Sequence, residues 1–172
     1  TAHRMHASTT GVAKLLPSVA GLLMARELDM LGRALESPRR PFAAVIGGAK
    51  VSDKILVLES LSGRVDTLVI GGGMAATFLK AQGVEVGESL IEKDRIEFAS
   101  GFIQAMQEKG LPLLLPVDVV IANAFSASAD HCIVPVSDIP AEWRIMDIGP
   151  KTVSLFEMGL RESQTVVWNG PM

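Results

Sequence analysis

"PFAAVIGGAKVSDKI", Pro41 to Ile55, contains an apolar run that ends at two glycines and is followed by two lysines. The run lacks polar alternation, which predicts a strand covered on both faces, and a helix is predicted from about Ser52 to Leu61. Lys50 would then lie at the helix entrance and Lys54 one turn further on, roughly on the same side. Positive charge is unfavourable at a helix N-terminus unless an anion is held there. The stretch therefore predicts an anion-binding turn or, alternatively, a glycine turn with two solvated lysines.

The alternation of apolar runs with amphipathic segments continues along the chain. Strands are predicted at Phe42–Ile46, Thr67–Ile70, Leu113–Ile121 (interrupted by Pro116) and Thr165–Trp168, and helices at about Ser52–Leu61, Met74–Ala81, Lys93–Glu108 and Thr152–Glu162. Strands that alternate with helices imply parallel pairing with right-handed crossovers. The predicted fold is α/β, an incomplete, Rossmann-like, doubly wound parallel sheet.

A separate helix is predicted before this sheet. Pro17 suits the first turn of a helix that runs to about Glu36. Apolar residues recur there at helical spacing, which predicts one apolar stripe; they are Ala20, Met24, Leu28, Leu31 and Leu35. The segment "SPRRP", residues 37–41, then predicts a linker.

Composition and charge exclude several classes of protein. The 172 residues include a single cysteine, Cys132, so the chain has no internal disulfide, and a reducing compartment such as the cytoplasm is expected. No apolar run approaches the roughly 20 residues of a membrane span, so no membrane association is expected. The formal net charge of −3 gives no general reason to bind nucleic acid, so an anion site must be built locally.

Small or polar residues follow all four predicted strands, in "IGGAK", "IGGGM", "IANAF" and "WNGPM". Ligands of open parallel sheets bind outside these carboxyl ends. The run Gly71–Gly73 with Ala76 fits the dinucleotide fingerprint G-x-G-x-x-A, and Glu92 has about the spacing of its acidic residue. A lone match is weak evidence, and a backbone platform for adenine or phosphate is an equally good interpretation.

Arg4 lies between two histidines and is followed by hydroxyl residues in "AHRMHASTT". A guanidinium can donate two parallel hydrogen bonds to a phosphate or carboxylate. The alternative is an exposed basic loop. A metal site is not expected here, because the only other histidine, His131, is remote in sequence.

Six motifs together resemble one family. "TAHRMHAST", "RPFAAVIGGAKVSDKI", "VIGGGMAATFLKA", "LPVDVVIANAF", "DIGPKT" and "VVWNGPM" are similar, in order and spacing, to the blocks of phosphoglycerate kinase. The resemblance covers essentially the whole chain. It implies a two-lobed monomeric kinase that moves a phosphoryl group reversibly between 1,3-bisphosphoglycerate and ADP. The products would be 3-phosphoglycerate and ATP, with Mg²⁺ as the metal.

The resemblance also implies roles for individual residues. Arg4 matches the arginine that grips phosphoglycerate, Lys50 the lysine that contacts the moving phosphoryl group, and Lys54 the lysine on the nucleotide phosphates. The positions expected to line the adenosine site are Gly72, Gly73, Leu90, Ile145, Met146, Asn169 and Pro171. Asn123 and Ala124 stand where the family usually has an acid and a basic residue, and Ile145 replaces a glycine that some relatives carry.

The family's organisation divides the chain into three parts. Residues 1–16 would end the phosphoglycerate lobe, residues 17–37 would form the interdomain hinge helix, and residues 38–172 would form a truncated nucleotide lobe. The start at Thr1 and the end at "VVWNGPM" suggest a fragment. The family's first lobe and its metal-binding "GGGD" segment would then lie outside the chain. An isolated, non-catalytic ADP/ATP-binding module is the alternative hypothesis.

Overall fold

The computed structural model describes residues 6–172 and separates the chain into two compact units. The first unit extends to Arg39, and the second comprises Arg40–Met172. The three-part division of the chain and the hinge role of its helix remain predictions.

The first unit contains one long helix. A short π-helical turn, Ala7–Gly11, precedes helix α1, Leu22–Glu36. The predicted start at Pro17 is wrong by five residues, because Gly21 has an extended backbone (ψ 165°) at the N-cap and glycine disfavours helical interiors. The predicted end at Glu36 is confirmed, and α1 buries none of its residues.

The second unit contains seven strands and four further helices. The strands are β1 (Phe42–Ile46), β2 (Thr67–Ile70), β3 (Leu113–Leu114), β4 (Asp118–Ala122), β5 (His131–Pro135), β6 (Arg144–Ile148) and β7 (Thr165–Asn169). The helices are α2 (Ile55–Ser62), α3 (Met74–Ala81), α4 (Ile96–Glu108) and α5 (Pro150–Leu160), with 3-10 turns at Lys93–Arg95 and Val136–Asp138.

The central sheet is parallel, as predicted. Its strand order is β3-β2-β1-β7, and Ala44 of β1 lies opposite both Leu68 of β2 and Val167 of β7. Val45 and Val69 pack against Phe156 of α5 on one face. Because side chains alternate along a strand, Ala44 and Leu68 point to the other face, and both are fully buried. Strands β1 and β2 are therefore covered on both faces, as in the doubly wound arrangement, whereas β7 remains partly exposed.

Strand β4 departs from the prediction of one parallel sheet. It lies between β5 and β6 in a second, three-stranded sheet and is antiparallel to both. Pro116 ends the preceding run, because proline has no N–H for a strand ladder and restricts its neighbour. Strands β5 and β6 were not predicted: β5 is mostly exposed and β6 is only half-buried, so their apolar pattern is weak.

A buried carboxylate joins β4 to α5. Asp118 accepts hydrogen bonds from the backbone N–H groups of Lys151 (3.0 Å) and Thr152 (2.7 Å) and from the Thr152 hydroxyl (2.7 Å). A Cβ on Gly149 would overlap this carboxylate. Asp118 thus caps α5, which begins at Pro150, two residues before the predicted start.

Candidate functional site

Three glycine-rich turns meet at the carboxyl ends of β1, β2 and β7. The N–H of Gly47 donates to the Asn169 carbonyl (2.9 Å), and that of Gly48 donates to the Pro171 carbonyl (2.8 Å). On the other side of β1, the N–H of Gly71 donates to the Ile46 carbonyl (3.0 Å). These bonds bring the predicted motifs "IGGAK", "IGGGM" and "WNGPM" into one backbone layer. We call it the glycine layer; it comprises residues 47–48, 71–73 and 169–171.

This layer has no room for side chains at its centre. A Cβ on Gly47 would overlap the Pro171 carbonyl, and one on Gly72 would lie 2.6 Å from the same oxygen. Gly72 also has φ +64°, a conformation that favours glycine. The turns are therefore bare backbone, which a flat or anionic ligand can approach closely.

Both lysines lie before helix α2. The predicted helix start at Ser52 is wrong by three residues, because Val51 to Lys54 form a turn closed by a 2.8 Å bond from the Lys54 N–H to the Val51 carbonyl. Lys54 is the N-cap of α2, and its Nζ donates to the Asn169 side-chain oxygen. Lys50 is exposed at the start of the turn. Lys54 and Asn169 are thus brought together by β1 and β7.

Residues 50–54 form what we call the lysine turn, and the carboxylate of Glu92 holds it in place. One oxygen accepts from the Ser52 N–H (3.0 Å) and the other from the Ser52 hydroxyl (2.6 Å). Burial raises the pKa of the Glu92 carboxyl, but the bonds from Ser52, the nearby Val51 N–H and the charge of Lys50 outweigh burial and hold this pKa below its usual value. Glu92 is therefore an anion bound at the turn.

This role of Glu92 disagrees with the dinucleotide fingerprint. The fingerprint requires an acidic residue at the end of a second strand. No strand precedes Glu92 between residues 84 and 92, all of which the structure describes, and both carboxylate oxygens are engaged by Ser52.

A cleft opens beside the glycine layer. Its cavity volume is about 90 Å³, and it opens to solvent. Five of the residues expected at the adenosine site line it: Gly72, Gly73, Leu90, Ile145 and Met146. The Ser89 hydroxyl accepts the Ile145 N–H (2.9 Å) and so fixes the far wall. Met172, which sequence reasoning missed, also lines the cleft and lies against Gly71.

The other candidates among residues 6–172 do not line this cleft. Asn169 and Pro171 contribute to the glycine layer but do not line the cleft, and Arg4 lies outside the described residues. Asn123, in the motif after β4, donates to Asp130 (3.2 Å) within the loop that leads to β5. The next residue but one, Phe125, is exposed and lines a neighbouring groove with Ile145 and Met146.

Two features are absent from residues 6–172. No helix in this range is long and apolar enough to cross a membrane. The same residues contain no group of three or more His, Cys, Asp or Glu side chains that could hold a metal ion.

Solved structures of similar proteins share the fold. Phosphoglycerate kinase from Coxiella burnetii superimposes with a TM-score of 0.88 at 44% identity, over 99% of this chain and 44% of that one. The enzyme from Pyrococcus horikoshii OT3 gives a TM-score of 0.80 at 28% identity, over 100% and 44% of the two chains.

Sequence comparisons identify the same family. The phosphoglycerate kinase from Chloroflexus aurantiacus is 59% identical over all 172 residues, and that from Pelotomaculum thermopropionicum is 58% identical over the same length. The chain spans 43% and 44% of these two relatives. The family model for phosphoglycerate kinase matches residues 1–172. The chain therefore belongs to the phosphoglycerate kinase family.

Proposed function

We propose that this chain supplies most of the nucleotide lobe of a longer phosphoglycerate kinase. The whole enzyme would transfer a phosphoryl group reversibly between 1,3-bisphosphoglycerate and ADP, giving 3-phosphoglycerate and ATP. Family membership supports this reaction, and the 43% coverage of a relative supports a longer parent protein. We further propose a cytoplasmic monomer, in keeping with the single free cysteine, Cys132.

The observation that carries this proposal is the position of the lysine turn beside the glycine layer. The Nζ of Lys54 bonds Asn169 at the carboxyl end of β7, and Gly72 and Gly73 line the adjoining cleft. A Cβ on Gly73 would lie 3.3 Å from the Cα of Ala49, next to Lys50 in sequence. An adenosine group in the cleft would therefore direct its phosphates towards the two lysines.

The proposed roles of the side chains follow from the negative charge on the phosphoryl group that is transferred. Phosphoryl transfer requires the protein to align the reactants and to stabilise negative charge on the transferred group. Lys54, held by Asn169, would bind the nucleotide phosphates. Lys50, whose side chain is exposed, would reach the transferred phosphoryl group. Arg4 would grip the phosphoglycerate, and movement of the lobes about the interdomain helix would exclude water.

Magnesium would neutralise phosphate charge when ADP or ATP is bound. The described residues alone do not fit a metal site, because they contain no cluster of three ionisable ligands. In the family, the metal-binding aspartate belongs to the "GGGD" segment, which is not in this sequence.

Calorimetric titration of this chain with ADP tests the proposed nucleotide site. We expect a dissociation constant of about 1 mM or tighter. Lys54→Ala should weaken binding about tenfold or more, because a hydrogen bond to a charged group contributes roughly 1.5–3 kcal/mol. Lys109→Ala, which removes an exposed lysine at the end of α4, is the matched control and should bind normally.

The titration is interpretable when circular dichroism shows a cooperative thermal transition for each variant. A folded chain that gives no heat at millimolar ADP would contradict the nucleotide site. ADP binding by a full-length protein that lacks turnover would favour the alternative function, a non-catalytic ADP/ATP-binding module.

A further inference from the structure

One short segment connects the cleft to the lysine turn. Leu90 lines the cleft, and Glu92, two residues later, binds Ser52 of the turn. The N–H of Glu92 donates to the hydroxyl of Thr77 (3.1 Å), a residue of α3 that is only 1% exposed. The segment is thus anchored to the helix that follows the second glycine motif.

The Glu92 carboxylate supplies much of the order of the lysine turn. It accepts both the N–H and the hydroxyl of Ser52, at 3.0 and 2.6 Å. Val51 itself is fully buried, so the turn is fixed from the side of the core as well. Between them, these contacts determine where the Cα atom of Lys50 lies.

The two lysines depend on Glu92 to different extents. Lys54 caps α2 and is also held by Asn169, so it has anchors that do not involve Glu92. Lys50 lies two residues before Ser52, which Glu92 binds, and no hydrogen bond of the Lys50 side chain is seen among the described residues. Loss of Glu92 should therefore misplace Lys50 more than Lys54.

We propose that Glu92 is a positioning residue for phosphoryl transfer, because it holds the turn that presents Lys50 and ties that turn to the wall of the nucleotide cleft. This inference rests on the proposed function for its kinetic consequence. Its structural consequence, order in the turn, does not depend on activity.

The kinetic test is Glu92→Ala in the full-length protein. We expect kcat to fall about 10- to 100-fold, because a displacement of about 1 Å in an aligned site costs this much. The KM for ADP should change less than about threefold, since Lys54 keeps its anchors. Glu92→Gln, whose amide can still bond Ser52, should restore most of kcat. Ser52→Ala, which removes only one of the bonds, should give a smaller loss.

Asp66→Ala is the matched control for a purely structural loss. Asp66 also accepts a backbone bond, from the Phe42 N–H at 2.7 Å, and pairs with Arg40. It precedes β2, at the amino ends of the strands and away from the cleft. Its replacement should lower the melting temperature without lowering kcat.

Hydrogen exchange provides the second readout, on the same full-length variants. Peptides that cover residues 49–55 should lose protection in Glu92→Ala and keep it in Glu92→Gln and Asp66→Ala. Unchanged protection or unchanged kcat in a folded Glu92→Ala variant would overturn the proposal. So would an equal kcat loss in Glu92→Gln. A wild-type protein without turnover would refute the proposed function, while the exchange result alone would still decide whether Glu92 orders the turn.

Discussion

Lys50→Ala in the full-length protein should reduce turnover about 1,000-fold while the protein remains folded. Two unit charges about 4 Å apart at an effective dielectric constant of about 20 interact by about 4 kcal/mol, which corresponds to roughly three powers of ten in rate. The exposed position of Lys50 means that its replacement leaves no buried group without a partner. Steady-state assays with saturating ADP would measure the change in kcat.

Lys109→Ala is the control for the loss of one positive charge. Lys109 is the exposed C-cap of α4, and nothing in its surroundings connects it to the cleft. The Lys109→Ala variant should retain normal turnover and a normal melting temperature. Normal turnover by a folded Lys50→Ala variant would remove Lys50 from the proposed mechanism.

Asp118→Ala should produce the largest loss of stability. The side chain is 3% exposed and accepts bonds from two backbone N–H groups and the Thr152 hydroxyl. Removing it leaves buried donors without partners at the start of α5, at a cost of about 3 kcal/mol or more in the free energy of unfolding. Urea denaturation at neutral pH would measure the difference, with the exposed Asp138 replaced by asparagine as the control.

The contribution of Asp118 to the free energy of unfolding should decrease as the pH falls. Burial raises the pKa of the Asp118 carboxyl, but bonds from Thr152 and the Lys151 N–H, with the Lys151 charge, outweigh burial and hold the pKa below its usual value. The stabilisation is therefore fully present above the pKa of an unfolded aspartate, about 3.9, and is lost as the pH falls through the folded-state value. A stability difference between wild type and Asp118→Ala that grows on acidification would contradict this account.

Strands β1 and β2 were predictable because their apolar runs are buried on both faces and end at glycine. Strands β1 and β2 match the predicted ranges, and β7 extends one residue further. The starts of α1 and α2 were predicted poorly, because the backbone is extended at Gly21 and Val51 to Lys54 form a separate turn before α2. Strand ends therefore carried a clear sequence signal, and these helix starts did not.

Much of the candidate site was visible in the sequence because its residues adjoin strand ends. The structure brings Lys54 to Asn169 and places Gly72 in the cleft, although the roles of these residues remain proposals. The bond between Ser52 and Glu92 spans 40 residues, and no local pattern predicts such a pairing. The same reason applies to Asp118, whose partners lie 33 and 34 residues further on.

ATP formation by the full-length protein tests the central claim most directly. With 1,3-bisphosphoglycerate, ADP and Mg²⁺, we expect turnover of about 1 per second or faster, as is typical of kinases, and dependence on both substrates. A coupled assay that follows ATP would measure it. A folded full-length protein that binds ADP but forms no ATP would contradict the claim that this chain carries the nucleotide site of a phosphoglycerate kinase.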